Sequence, residues 1–304
     1  TFAYIFNDNV PSTLKKVAIT NETNVPESAF AGLVNIQNIK VNDEVKSIGA
    51  SAFDGCIGLL RFDIPSGVRT IASYTFRNCQ SAVTITVQDT VKEIGEGAFY
   101  GCTKLTAVNI PNGVQWIADD TFSGCASIKK IEIPSSVQEI GENVLEGCTS
   151  LVDIKVPFVG ANADPENTYP NNEEYGLFGY FFGGTNDKVP ASVTKVEING
   201  ENIEGGYIPI KAFANCGNIV DIVIYNERDI SDNAFTNCRN LKNLYIPKTV
   251  VGIGKEILSG CTNLETLVVP FIGRDRNDNN SETSVLGGFF ECSEEKTKWT
   301  KQYY

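Results

Sequence analysis

A chain of 304 residues, 42% of them hydrophobic, can bury a large core, and its length alone allows one or two domains. Its 37 acidic against 25 basic residues give a formal charge of −12, which excludes nucleic acid and an anionic membrane surface as partners, because both call for clustered Lys and Arg. Histidine, the commonest general base and metal ligand, is absent, and no run approaches the roughly 18 apolar residues that span a bilayer.

The chain opens on an aromatic cluster, Phe2-Ala3-Tyr4-Ile5-Phe6, followed by Val10-Pro11-Ser12-Thr13-Leu14. From Phe30 onward one pattern recurs about every 23 residues: Ile-Gly-x-x-Ala-Phe-x-Gly-Cys-x-x-Leu-x-x-Ile-x-Ile-Pro-x-x-Val. A fixed period of this size marks a solenoid, in which each unit buries its apolar side only against its neighbours. The first column of the alignment holds Phe30, Phe53, Phe76, Phe99, Phe122, Leu145, Phe213, Phe235 and Leu258. Three residues on stands Cys, with Leu33 as the exception. Nine and eleven residues on lie apolar pairs such as Phe62 and Ile64 or Ile131 and Ile133. Their period of two predicts a short strand with both residues facing the core.

Such pairs predict eleven parallel strands in one sheet, near 15–19, 37–41, 60–64, 83–87, 106–110, 129–133, 152–156, 194–198, 220–224, 242–246 and 265–269. Pro65, Pro111, Pro134, Pro157, Pro247 and Pro270 follow strands and end the ladder by lacking an N–H. The other half of each turn, such as Gly95-Glu96-Gly97-Ala98-Phe99-Tyr100, reads as a short helical segment. The residue before each Cys of the column is Gly or Asn, which tolerates the left-handed conformation and reads as a cap repeated in every turn.

A longer repeat overlies the first. Val156-Pro157-Phe158-Val159-Gly160 returns as Val269-Pro270-Phe271-Ile272-Gly273, each followed by a polar insertion and then an aromatic cluster, Phe178 to Phe182 or Leu286 to Phe290. The organisation expected is a single solenoid over 1–304: repeats about 10–157, an insertion at 158–188, repeats about 189–270, and an insertion with a truncated module at 271–304. Because both ends fall inside a module, the parent protein is expected to continue in both directions, with end-to-end contacts between otherwise monomeric chains.

This pattern resembles the treponemal-type leucine-rich repeat of BspA-like surface proteins, over about residues 10–270. The resemblance implies a leucine-rich-repeat solenoid of α/β class, a right-handed arc with a parallel sheet on its concave side and short helical segments on its convex side. It also implies a non-catalytic role, attachment to host or cell-surface proteins, in a secreted or cell-surface protein of a bacterium or a mucosal protist. The alternatives are a structural stalk and an accessory module of a larger surface protein such as a hydrolase. Leu33, the non-Pro strand ends Asn42, Gln88 and Tyr225, and the two insertions depart from the pattern.

No chemistry stands out. Eight of the nine cysteines share the repeat position and point inward as small apolar residues, while Cys292 lies outside the column. No Cys-x-x-Cys pair suits zinc, no His is present to activate a thiol, and the acidic residues are scattered as on a solvated surface. No catalytic residue, metal or cofactor is expected. The insertion Arg274 to Glu282 is rich in oxygen ligands but lacks a calcium-loop pattern, and reads as a solvated loop. The aromatic clusters read as packing of the insertions onto the solenoid flank.

On the strands, the outward residues of the middle repeats carry opposite charges that pair with one another, as in Lys130 and Glu132 or Lys195 and Glu197. The last repeats offer Val223, Tyr245 and Val268 instead, with Tyr225 at the edge. An exposed apolar and aromatic patch marks an interaction site, so these four residues are the candidate binding face. The competing reading is that an insertion or a following module covers them.

Overall fold

The computed structural model describes residues 9–162, 177–201, 206–276 and 286–290. The opening Phe2–Phe6 cluster, Cys292 and most of both polar insertions lie outside these residues. The chain divides into two units, one formed by Thr1–Ile154 with Phe181–Gly183 and the other by Lys155–Tyr180 with Gly184–Tyr304.

In the first unit the strands Lys16–Ile19, Asn38–Val41, Arg61–Asp63 and Thr84–Thr86 pair in parallel, in chain order. Their register sets like residues side by side, with Arg61 opposite Thr84, Phe62 opposite Ile85 and Asp63 opposite Thr86. The burial alternates along each strand as the period-2 pattern requires. In the second unit Lys195–Ile198, Asp221–Ile224, Asn243–Tyr245 and Thr266–Val268 continue the same arrangement. The strand expected at 106–110 is reduced to a single bridge, Thr84 to Ala107, so the ladder is interrupted there. Ala107 and Asn109 are poor strand formers, yet Val108 and Ile110 stay buried, and the inward packing survives the lost pairing.

The far half of each turn corrects the helical expectation, for helices are scarce among the described residues. Two-residue strands stand there instead: Asn24–Val25, Ser47–Ile48, Thr70–Ile71, Glu93–Ile94, Trp116–Ile117 and Glu139–Ile140 in the first unit, and Tyr207–Ile208, Asp229–Ile230 and Gly252–Ile253 in the second. They form ladders of their own, and the single sheet expected for the longer strands is itself divided where the ladder is interrupted. In the segment after each two-residue strand, N–H groups alternate between bonds sideways to the next turn and bonds three residues back along the segment. Phe53 N donates to Thr75 O at 2.9 Å and Phe76 N to Ala98 O at 2.8 Å. These bonds take the donors that an α-helix would direct four residues back.

The predicted left-handed residues are present, from Gly55 at φ +69° to Asn78 at +58°, Asn215 at +67° and Asn237 at +59°. They turn the chain toward Cys rather than capping a helix. A second left-handed column, Ser51, Tyr74, Gly97, Asp120 and Asn143, carries no consistent Gly or Asn to signal it. Side chains rarely accept this conformation; here it is held by bonds to the following turn, as from Tyr74 N to Glu96 O.

The predicted phenylalanine column is buried and stacked. Phe30, Phe53, Phe76, Phe99 and Phe122 succeed one another at ring separations of 5.5, 5.2, 5.7 and 5.4 Å, and Phe62 lies against both Phe53 and Phe76. The eight described cysteines are buried thiols. Cys79 Sγ donates to Phe53 O at 3.3 Å, Cys102 to Phe76 O at 3.1 Å and Cys125 to Phe99 O at 3.2 Å. Phe53 O also accepts from Cys56 N within its own turn. A thiol here fills an apolar site while satisfying the carbonyl's second lone pair.

The aromatic cluster Phe178–Phe182 is a buried 3-10 turn that packs inward, as expected. Phe178 meets Phe213 at 4.9 Å and its N–H reaches Ala212 O. Buried Asn186 donates from Nδ2 to the carbonyls of Lys211, Ala212 and Ala214, and accepts from Gly179 N. One side chain thus pairs Gly179 N and Ala214 O and adds a second bond to the carbonyls of Lys211 and Ala212.

Candidate binding face

Parallel pairing at fixed register turns a repeat position into a row across the sheet. In the second unit the register sets Glu197 opposite Val223, Val223 opposite Tyr245, and Tyr245 opposite Val268. The parallel row two residues earlier is Lys195, Asp221, Asn243 and Thr266. Between them the inward residues Val196, Ile222 and Leu244 are fully buried. Three of the four residues expected from the sequence are therefore lateral neighbours about 4.8 Å apart strand to strand. Tyr245 and Val268 are exposed at 41% and 46%, while Val223 is half-buried.

Tyr225, exposed at 43%, stands just beyond its strand, where other turns place Pro. Its N–H donates to Ile198 O at 3.0 Å and its hydroxyl to Glu197 Oε2 at 3.2 Å. Burial, then the Glu197 carboxylate, pushes the Tyr225 phenol up. Glu197 is held below the usual carboxylate range, first by its hydrogen bond from Lys195 and also by Tyr225. This polar network closes one end of the row and fixes Tyr225 beside it. Along the other edge, Asn243 Nδ2 donates to Asp221 Oδ1 at 2.5 Å.

The expected pairing of strand-face charges holds in part. Lys130 meets Asp153 at 3.5 Å in the first unit and Lys195 meets Glu197 in the second, while Asp63 accepts from Thr86 instead. Arg61 and Lys40 make no ion pair among the described residues and line an open groove of about 540 Å3 with Asp43 and Asp63. Among the described residues no three His, Cys, Asp or Glu side chains converge to hold a metal ion.

A row on the second ladder is absent from the sequence reading. Trp116, 37% exposed, stands between Glu93 and Glu139 in register. On the same side, burial and then the carboxylates of Glu146, Asp119, Glu96 and Glu142 push Asp120 above its ordinary range. The signal is present as the residue before the Ile of each Ile-Gly or Ile-Ala pair, but a helical reading of that segment scatters these positions instead of aligning them.

The family model described as the BspA type leucine-rich repeat region matches this chain in six copies, over residues 4–95, 23–152 and 191–279. The chain belongs to that family. This BspA-type chain is also similar to solved leucine-rich repeat proteins. One from T. pallidum is 20% identical, with 81% of this chain and 82% of that chain covered and a TM-score of 0.38. One from Eubacterium ventriosum is 18% identical, covering 93% and 89%, with a TM-score of 0.41. The pneumococcal vaccine antigen PcpA is 19% identical, covering 94% and 84%, with a TM-score of 0.43. No curated protein matches. In a repeat scaffold of this kind the turns supply the framework, and surface residues decide what is bound. No helix among the described residues is long and apolar enough to cross a membrane.

Proposed function

We propose that this BspA-type chain is a non-catalytic protein-binding scaffold of a secreted or cell-surface bacterial protein, serving adhesion to host or cell-surface proteins. Val223, Tyr225, Tyr245 and Val268 form its contact face. The observation that carries this reading is the registered row Val223–Tyr245–Val268, apolar and aromatic on a rigid sheet, where binding costs little ordering entropy. Tyr and its apolar neighbours are the residue types that supply hot-spot contact, whereas exposed charge pairs contribute little.

The test is a binding screen of the chain against matrix, mucosal and cell-surface proteins, repeated with Tyr245→Ala and Val268→Asp. Each variant is expected to weaken binding by about tenfold or more, the loss typical of a hot-spot contact. Unchanged binding by both variants would move the site elsewhere. A screen without any partner would favour the stalk.

A further inference from the structure

In this solenoid most turns place valine where the chain re-enters the core after a strand: Val45, Val68, Val91, Val114, Val137 and Val250 are each at most 1% exposed, while the first turn has exposed Glu22 there. The turn after Asp221–Ile224 puts Glu227 there. Its connection is one residue shorter than that after Asn243–Tyr245, but the hydrogen bonds establish the equivalence. Thr249 Oγ1 donates to Glu227 O at 2.9 Å, as Thr90 Oγ1 does to Val68 O and Ser136 Oγ to Val114 O. The next residue keeps the rung: Arg228 N donates to Gly206 O and Val251 N to Arg228 O.

Glu227 is 1% exposed, and neither carboxylate oxygen has a hydrogen-bond partner among the described residues. Gly206 in the preceding turn makes the room, since a Cβ there would collide with Oε2. Among the described residues no opposite charge compensates. On its own turn Arg228 and Asp229 are exposed and paired with each other at 3.8 Å. The following turn presents Thr249 and Val250, and the preceding one Gly206 and Tyr207, none of them charged. An isolated carboxylate in such surroundings is strongly disfavoured and a neutral acid is tolerated.

We propose that Glu227 is a pH-responsive element of the second unit: as the neutral acid it packs in the valine column, and as the carboxylate it drives its own turn to open to water. Desolvation alone raises its pKa to about 7 from the ordinary 4.5. At pH below 4.5 the acid is protonated whether the turn is closed or open, and no penalty arises. Between about 4.5 and 7 the open form ionises first, so closure weakens as pH rises, and the loss is complete above about 7. This runs opposite to an ion-paired carboxylate, which stabilises as pH rises.

Hydrogen exchange of peptides spanning 206–230, corrected for intrinsic rates, tests this at pH 5 and pH 8. Protection is expected to fall on the order of a hundredfold between the two, with no comparable fall around Val137. Glu227→Gln and Glu227→Val should both abolish that fall and raise protection at pH 8. Equal protection at both pH values, or the same fall in the variants, would overturn the proposal. Should the variants fail to fold, a carbon-13 NMR titration of the wild-type Glu227 carboxyl decides: a midpoint near 7 supports it and one near 4.5 refutes it.

Discussion

Each repeated residue is chosen for what its copies in the turns before and after require. Phe99 stacks between Phe76 and Phe122, so truncating it opens a void that neighbours on both sides cannot fill. Phe99→Ala is expected to cost about 3–5 kcal/mol, read by urea unfolding. The cysteines follow the same logic with a polar atom added. Burial pushes Cys56, Cys102 and Cys148 up to about 12, so almost no thiolate exists at neutral pH. We expect the native column from Cys56 to Cys148 to resist a thiol reagent at pH 8 and to react fully once denatured, with no disulfide to be reduced first. Prompt labelling of the native column would contradict its burial.

At the scale of the turn, backbone geometry decides the substitutions. Glu256 is exposed and held at φ +53°, so Glu256→Gly removes a strained conformation and should raise stability by up to about 1 kcal/mol. Thermal unfolding reads that gain. Gly141 is the opposite case, because a Cβ there would strike the backbone N of Asp119. Gly141→Ala should cost about 1–3 kcal/mol by the same measurement. The strand half of each turn is legible in the sequence because two inward residues separated by one outward residue make a period. The two-residue strands are not, since each has a single inward residue, such as Ile94. Followed by buried Ala98 and Cys102, four and eight residues on, that residue falls at spacings that imitate one face of a helix. Which pattern wins is settled by the sideways bonds of Phe99 and Gly101 to the next turn, which sequence spacing does not display.

For the molecule as a whole, repeats convert sequence columns into surface rows, which is why Val223, Tyr245 and Val268 can be recognised as one face from their spacing alone. Glu227 cannot, since the shortened connection shifts it by one position and hides it from the valine column. Trp116 is hidden by the helical reading of its segment. The turn-to-turn bonding that settles these positions carries a further consequence. In the first unit neighbouring turns are tied by the second ladder and by the sideways bonds, as from Phe99 N to Thr121 O and Gly101 N to Ser123 O, so the covalent thread is one of several ties across any turn. Lys104 is an exposed trypsin site on one such turn. A single cut there should leave two pieces that migrate together on a native gel and part only in denaturant, a protein that survives being severed.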